Sequence, residues 1–248
     1  MRSLSVNPFD LPPLAAALAA ASTGLAALAA ALEPLAGAAS AALAIVLVTL
    51  AVRAALIPLG RAQVRAESVR RRLAPRLREL RTRYRTRPET LQAKTFELYR
   101  AEGAHPLTGM WTVLVQLPVV GLLYAAVTHP SAAGSVLLSA TLYGAPLGDP
   151  LLTTLTASAG WPAVLVVAAV LGALAVTATL ARRQQLRLAA LDGSAVGLAR
   201  AVSLLSYLTV GFALIAPLAA GLYLVVSTTW TLAERTILRR IIDPAPAV

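Results

Sequence analysis

One residue concentrates the chemistry of this sequence. Arg53 stands in ASAALAIVLVTLAVRAALIP, residues 39–58, as the single charge in twenty residues. It lies six residues from the end of that run, about 9 Å inside if the run is a helix. A charge at the centre of a membrane helix costs roughly 3 kcal/mol on insertion scales. The usual remedy is a carboxylate. All eleven acidic residues lie outside the interiors of the apolar runs, and Glu234, at the inner end of the last one, is the nearest candidate. Two readings follow. Arg53 snorkels to the headgroups, or its guanidinium stands in a wet cavity where it attracts acidic segments of another chain.

Other polar residues share the apolar runs. Gln116 falls about nine residues into the run 107–128. Tyr223, Ser227 and Thr231 step by four along the last run, with Trp230 beside them. Ser203, Ser206 and Tyr207 make a short polar face on the run before it. A single hydroxyl in a membrane helix commonly bonds a backbone carbonyl or a neighbouring helix. Several polar faces alongside one arginine favour a half-buried hydrophilic groove.

Little else supports chemistry. There is no cysteine, so no thiol nucleophile, disulfide or Cys-based zinc site. The two histidines, His105 and His129, are too far apart for the common helical metal motif. No phosphate-binding loop and no Gly-x-Ser-x-Gly occurs. No catalytic residue, metal or cofactor is expected, and the chain is not expected to be an enzyme.

The elements that must hold these residues are apolar helices. Of 248 residues 58% are hydrophobic and 13% charged, against about 25% charged in ordinary soluble domains. An all-α, multi-pass membrane protein is expected. Five runs serve as spans: 39–58, 107–128, 161–181, 198–216 and 217–234, the last two divided at Pro217. Lys and Arg mark the sides. Segment 59–106 carries 13 of them against five glutamates, +8 of the net +11. Segment 182–197 adds Arg182, Arg183 and Arg187, and the tail 235–248 adds Arg235, Arg239 and Arg240. The loop 129–160 has none, and residues 1–38 have only Arg2. Cytoplasmic loops collect positive charge, which puts the N-terminus outside and the C-terminus in the cytosol.

Within 1–38, leucines at 11, 14, 18, 25, 28, 32 and 35 form a helical stripe on alanine. A helix on the outer surface is expected, with a sixth span as the alternative. Segment 59–106 is expected to be a cytosolic helical hairpin. Val69, Leu73, Leu77, Leu80 and Tyr84 make one apolar stripe among Arg70, Arg71, Arg72, Arg76, Arg78 and Arg81. Thr86 and Glu89 have capping-box spacing for the second helix, and Gly103 is a stop signal. The arginines face solvent and anionic lipid headgroups; no aromatic residues interleave with them as in nucleic-acid surfaces, and no DNA partner is expected.

Across residues 35–242 the chain resembles the YidC/Oxa/Alb family of membrane protein insertases. Four places carry the likeness: VRAALIPL from Val52 to Leu59; LAPRLREL from Leu73 to Leu80, with Tyr84 beyond it; GAHPLTG from Gly103 to Gly109, leading to Gln116, Leu117 and Pro118; and APLAAGLY from Ala216 to Tyr223, with Trp230. The resemblance implies a five-span core with a groove open to cytosol and lipid but closed to the outside, in a bacterial plasma membrane. It implies that Arg53 attracts hydrophilic or acidic client segments, that Gln116 lines the groove and that the arginine-rich hairpin recruits clients. It implies nascent membrane proteins as clients, with the ribosome and the Sec translocon as further partners. The sequence departs from the family in having His105 where asparagine is frequent, and Met110, Trp111 and Thr112 where a Cys-Leu-Pro run is frequent. A small transporter or channel is the rival reading. It would place a pore through both faces and carry internal repeats; no repeat is evident between the halves.

Overall fold

The computed structural model describes residues 12–103, 138–156, 160–191, 201 and 203–242. The expected span 107–128, with Gln116, lies outside them, as do residues 1–11 and the end of the tail.

Helix α1 (Pro12–Ala36) and helix α2 (Ser40–Ala55) are joined by a short 3-10 turn, Gly37–Ala39. Gly37 has φ +50, a conformation in which a side chain would strain the backbone. The chain doubles back there, and α1 packs chiefly against α2. Leu25 and Ala29 are buried in one cluster with Ala41, Ala42, Ala44 and Ile45. Ser22 is 1% exposed, about 21 Å along α1 from its end. Its hydroxyl donates to the Ala19 carbonyl at 3.1 Å. A helix leaving α2 at a steep angle would touch it only near the turn. Here the contact continues for four turns.

Leu56 separates α2 from α3 (Ile57–Arg83). Pro58 sits in the first turn of α3, where its missing N–H costs nothing. Val69, Leu73 and Leu77 of the expected stripe pack on Leu98 and Tyr99 of α4 (Pro88–Ala101). The expected capping box does not form. Arg87 is the N-cap, Pro88 takes the first turn, and no side chain caps the helix. The proline ring presets the helical φ, which moves the start one residue past Thr86. Gly103 follows the end of α4 with φ +62, as its position predicts.

The segment before α6 is folded. Strands β1 (Thr141–Leu142) and β2 (Ala145–Pro146) pair antiparallel across Tyr143 and Gly144, both at positive φ. Helix α5 (Leu151–Thr156) follows. Helix α6 (Trp161–Leu191) runs on well past the expected end at 181. Its last turns hold Arg, Gln, Leu and Ala, all good helix formers. Then come a 3-10 turn at Leu205–Tyr207, α7 (Leu208–Ile215) and α8 (Leu218–Ile242). Ala216 is extended, at ψ 152, because Pro217 disfavours a helical residue before it. The first residues expected in the tail, Arg235 to Ile242, are helical and continue α8.

This folded segment seals onto the α7–α8 corner. Leu218 N–H donates to the Asp149 carbonyl at 2.9 Å, and Ala219 N–H to the Leu147 carbonyl at 2.9 Å. Leu147, Leu151, Val167, Val170, Leu174 and Leu218 are buried together there. A Cβ at Gly221 would come within 3.2 Å of Val170 and 3.3 Å of Leu151. This end of the helices is therefore close-packed and apolar. Among the described residues two helical stretches are long and apolar enough to cross a membrane, Ala19–Ala55 and Trp161–Arg187, and Leu205–Ile215 is a shorter apolar one. Leu165, Val176, Leu208, Phe212 and Ile215 stand exposed on these helices, as lipid-facing side chains would.

Candidate functional site

Away from this close-packed end the interior turns polar. A cavity of about 370 Å³ opens between α2, α6, α7 and α8. Arg53, in the last turn of α2, reaches it half-buried. Its Nη2 donates to the Ser227 hydroxyl of α8, which is 3% exposed. Tyr223, Ser227 and Thr231 line the cavity from one face of α8, as their four-residue steps predict. Ser206 lines it from the 3-10 turn before α7.

The cavity walls include residues that sequence reasoning did not single out: Thr177 and Gln184 on α6, Thr209 on α7, and Thr228 on α8. Thr177 Oγ1 and Thr228 Oγ1 are 3.5 Å apart. Each hydroxyl also donates to its own helix, Thr177 to Ala173 at 2.9 Å and Thr228 to Leu224 at 2.7 Å. That backbone bonding is the ordinary fate of threonine in an apolar helix. It hides the site in sequence. The spacing of Thr177, Ala178, Ala181 and Gln184 on one face was the available signal.

Two expected groove residues lie elsewhere. Ser203 is fully buried and accepts from Arg182 Nε at 3.4 Å. Trp230 lies away from this cavity, and its Nε1 donates to Glu234 Oε2 at 2.9 Å. Glu234 in turn rests on Gly60 of α3, where any Cβ would overlap its carboxylate. Arg53, Gly60, Gln63 and Glu234 share a second, small cavity of about 50 Å³. Arg53 thus stands between two polar spaces, with a hydroxyl on one side and a carboxylate lining the other.

The hairpin arginines also divide into two groups. Arg70, Arg71, Arg78 and Arg81 line a cavity at the base of the hairpin. Arg72 and Arg76 lie off it; Arg72 points to Glu102 at 4.0 Å. The base is anchored by Glu67, which accepts from Arg239 Nη2 at 2.8 Å and lies 3.9 Å from Arg235. No group of acidic or histidine side chains suited to a metal occurs among the described residues.

The profile of the family described as "60Kd inner membrane protein" matches residues 32–245. The chain belongs to that family. Among its relatives is the membrane protein insertase YidC of Granulibacter bethesdensis, 41% identical over 81 residues, covering 33% of this chain and 14% of the relative. The insertase YidC of Oceanobacillus iheyensis is 35% identical over 89 residues, 34% of this chain and 35% of the relative. The chloroplastic inner membrane ALBINO3-like protein 2 of Chlamydomonas reinhardtii is 35% identical over 119 residues, 48% of this chain and 27% of the relative. The matched stretches thus span about a third or less of these relatives' length.

Proposed function

We propose that this protein inserts segments of other membrane proteins into the bilayer. The observation that carries the reading is Arg53 on a polar cavity beneath a close-packed outer half. A hydrophilic indentation shortens the hydrocarbon path that a polar backbone must cross. Arg53, held by Ser227 and only half exposed to solvent, attracts an acidic client segment into that space. The client's apolar helix then leaves sideways into lipid. Arg53, Ser206, Tyr223, Ser227 and Thr231 form the client surface, with Gln116 as a further lining residue. The basic hairpin collects clients at the cytosolic face. Gradual exchange of polar contacts along this path needs no catalytic residue.

The sealed outer loop supports a groove in preference to a pore through both faces. Insertion of a single-span client with an acidic translocated tail, followed in vesicles, tests the reading. Arg53→Ala is expected to lower insertion about tenfold, the loss of one charge-assisted contact. Arg53→Lys is expected to retain most of it. Undiminished insertion by stably folded Arg53→Ala protein would remove the groove charge from the mechanism.

The N-terminus carries a second reading of topology. An N-terminal helix on the outer surface leaves the residues before α1 outside. The burial of Ser22, Leu25 and Ala29 along α2 favours α1 as an additional span, which puts those residues in the cytosol. A single cysteine at Ser3, labelled with a membrane-impermeant maleimide from each side in turn, separates the two.

A further inference from the structure

The geometry points to a phosphate-binding site at the base of the hairpin. The cavity there has a volume of about 420 Å³, within the usual range for ligand pockets. Arg70, Arg71, Arg78 and Arg81 come to it from one side of α3, spaced at helical intervals. Arg235 and Arg239 meet them from α8, four residues apart. Among the described residues Glu67 is the one carboxylate on its wall. Six arginines beside that one described carboxylate concentrate positive charge that a bound anion would relieve.

The arginine at its back wall has donors to spare. The Arg239 side chain is 15% exposed. Its Nη2 serves Glu67, while Nε and Nη1 are buried with no acceptor among the described residues. Buried donors without an acceptor are costly, more so on a charged group. Phosphate oxygens match arginine donors in geometry and charge. Arg239 also lies twelve residues beyond Ser227, about 18 Å along α8. That is the depth of a cytosolic headgroup layer, so the phosphate could belong to an anionic phospholipid or be free in solution. The site goes beyond insertion and has its own readout. Bound phosphate would bridge α3 to α8 beside the Glu67 contact and fix the hairpin to the membrane core.

Two double variants of the full chain test this. Arg78→Gln/Arg81→Gln removes two exposed arginines of the cavity wall. Arg72→Gln/Arg76→Gln removes the same charge from the same helix, off the cavity. Phosphatidylglycerol retained by detergent-solubilised protein is measured by native mass spectrometry, and inorganic pyrophosphate binding by thermal shift. For at least one probe, the wild type and Arg72→Gln/Arg76→Gln are expected to bind alike. Arg78→Gln/Arg81→Gln is expected to bind that probe about tenfold more weakly, as for one lost charge-assisted bond. Loss for the lipid alone makes the ligand a headgroup; loss for pyrophosphate alone makes it a free phosphate. Equal weakening by both variants would reduce the site to diffuse surface charge and overturn the proposal. So would binding of neither probe, or of an RNA hairpin alone. Client insertion by Arg53 variants is read separately, so each idea fails on its own.

Discussion

Arg53 shows how a charge is tolerated in an apolar helix without a carboxylate beside it in sequence. Its bond goes to Ser227, 174 positions away. The helical steps of Tyr223, Ser227 and Thr231 made that face legible in sequence, because one face of one helix is set by period alone. Ser203 and Trp230 were misplaced for the same reason. Periodicity says which residues share a face, not which neighbour that face meets. Gly60 gives a prediction at this level. Gly60→Ala puts a methyl group into the Glu234 carboxylate, and overpacking of this kind costs typically 1–3 kcal/mol. Thermal unfolding in detergent should show it. Glu234→Ala in the same chain should recover most of the loss, a coupling expected only of residues in contact.

Among the helices, the boundaries set by proline and glycine were readable, and those set by packing were not. Pro217 ends α7 and Gly103 follows α4, as local backbone chemistry requires. The run of α6 to Leu191 was missed because its arginines look like a loop to a hydropathy count, although they are sound helix formers. The α1–α2 turn depends on Gly37 at φ +50, with open space around its missing Cβ. Gly37→Ala therefore meets no clash and shows the backbone cost alone, about 1–2 kcal/mol. Gly37→Asn should cost less, since asparagine tolerates that region. Comparing the two by thermal unfolding separates backbone strain from packing. At the hairpin, Glu67→Gln weakens the tie to Arg239 and Arg235. Spin labels on α3 and α8 should report a broader distance distribution, with a larger effect at low salt, where the lost ion pair and the repulsion among the arginines are screened least.

For the molecule as a whole, low charge and the one-sided placement of arginine identified a membrane protein before any contact was known. The division of the interior was not legible. An apolar seal at one end and a polar cavity beyond it arise from four helices and a folded loop meeting in space. Leu147 and Leu151, which make the seal, sit in a loop whose sequence resembles no span. The central claim is that this cavity is wet and open to the cytosol alone. A cysteine at Ser206, in a chain that otherwise has none, tests it most directly. In oriented vesicles, a membrane-impermeant maleimide should label it from the cytosolic side and not from the outer side. Labelling from the outer side, or from neither, would contradict the account.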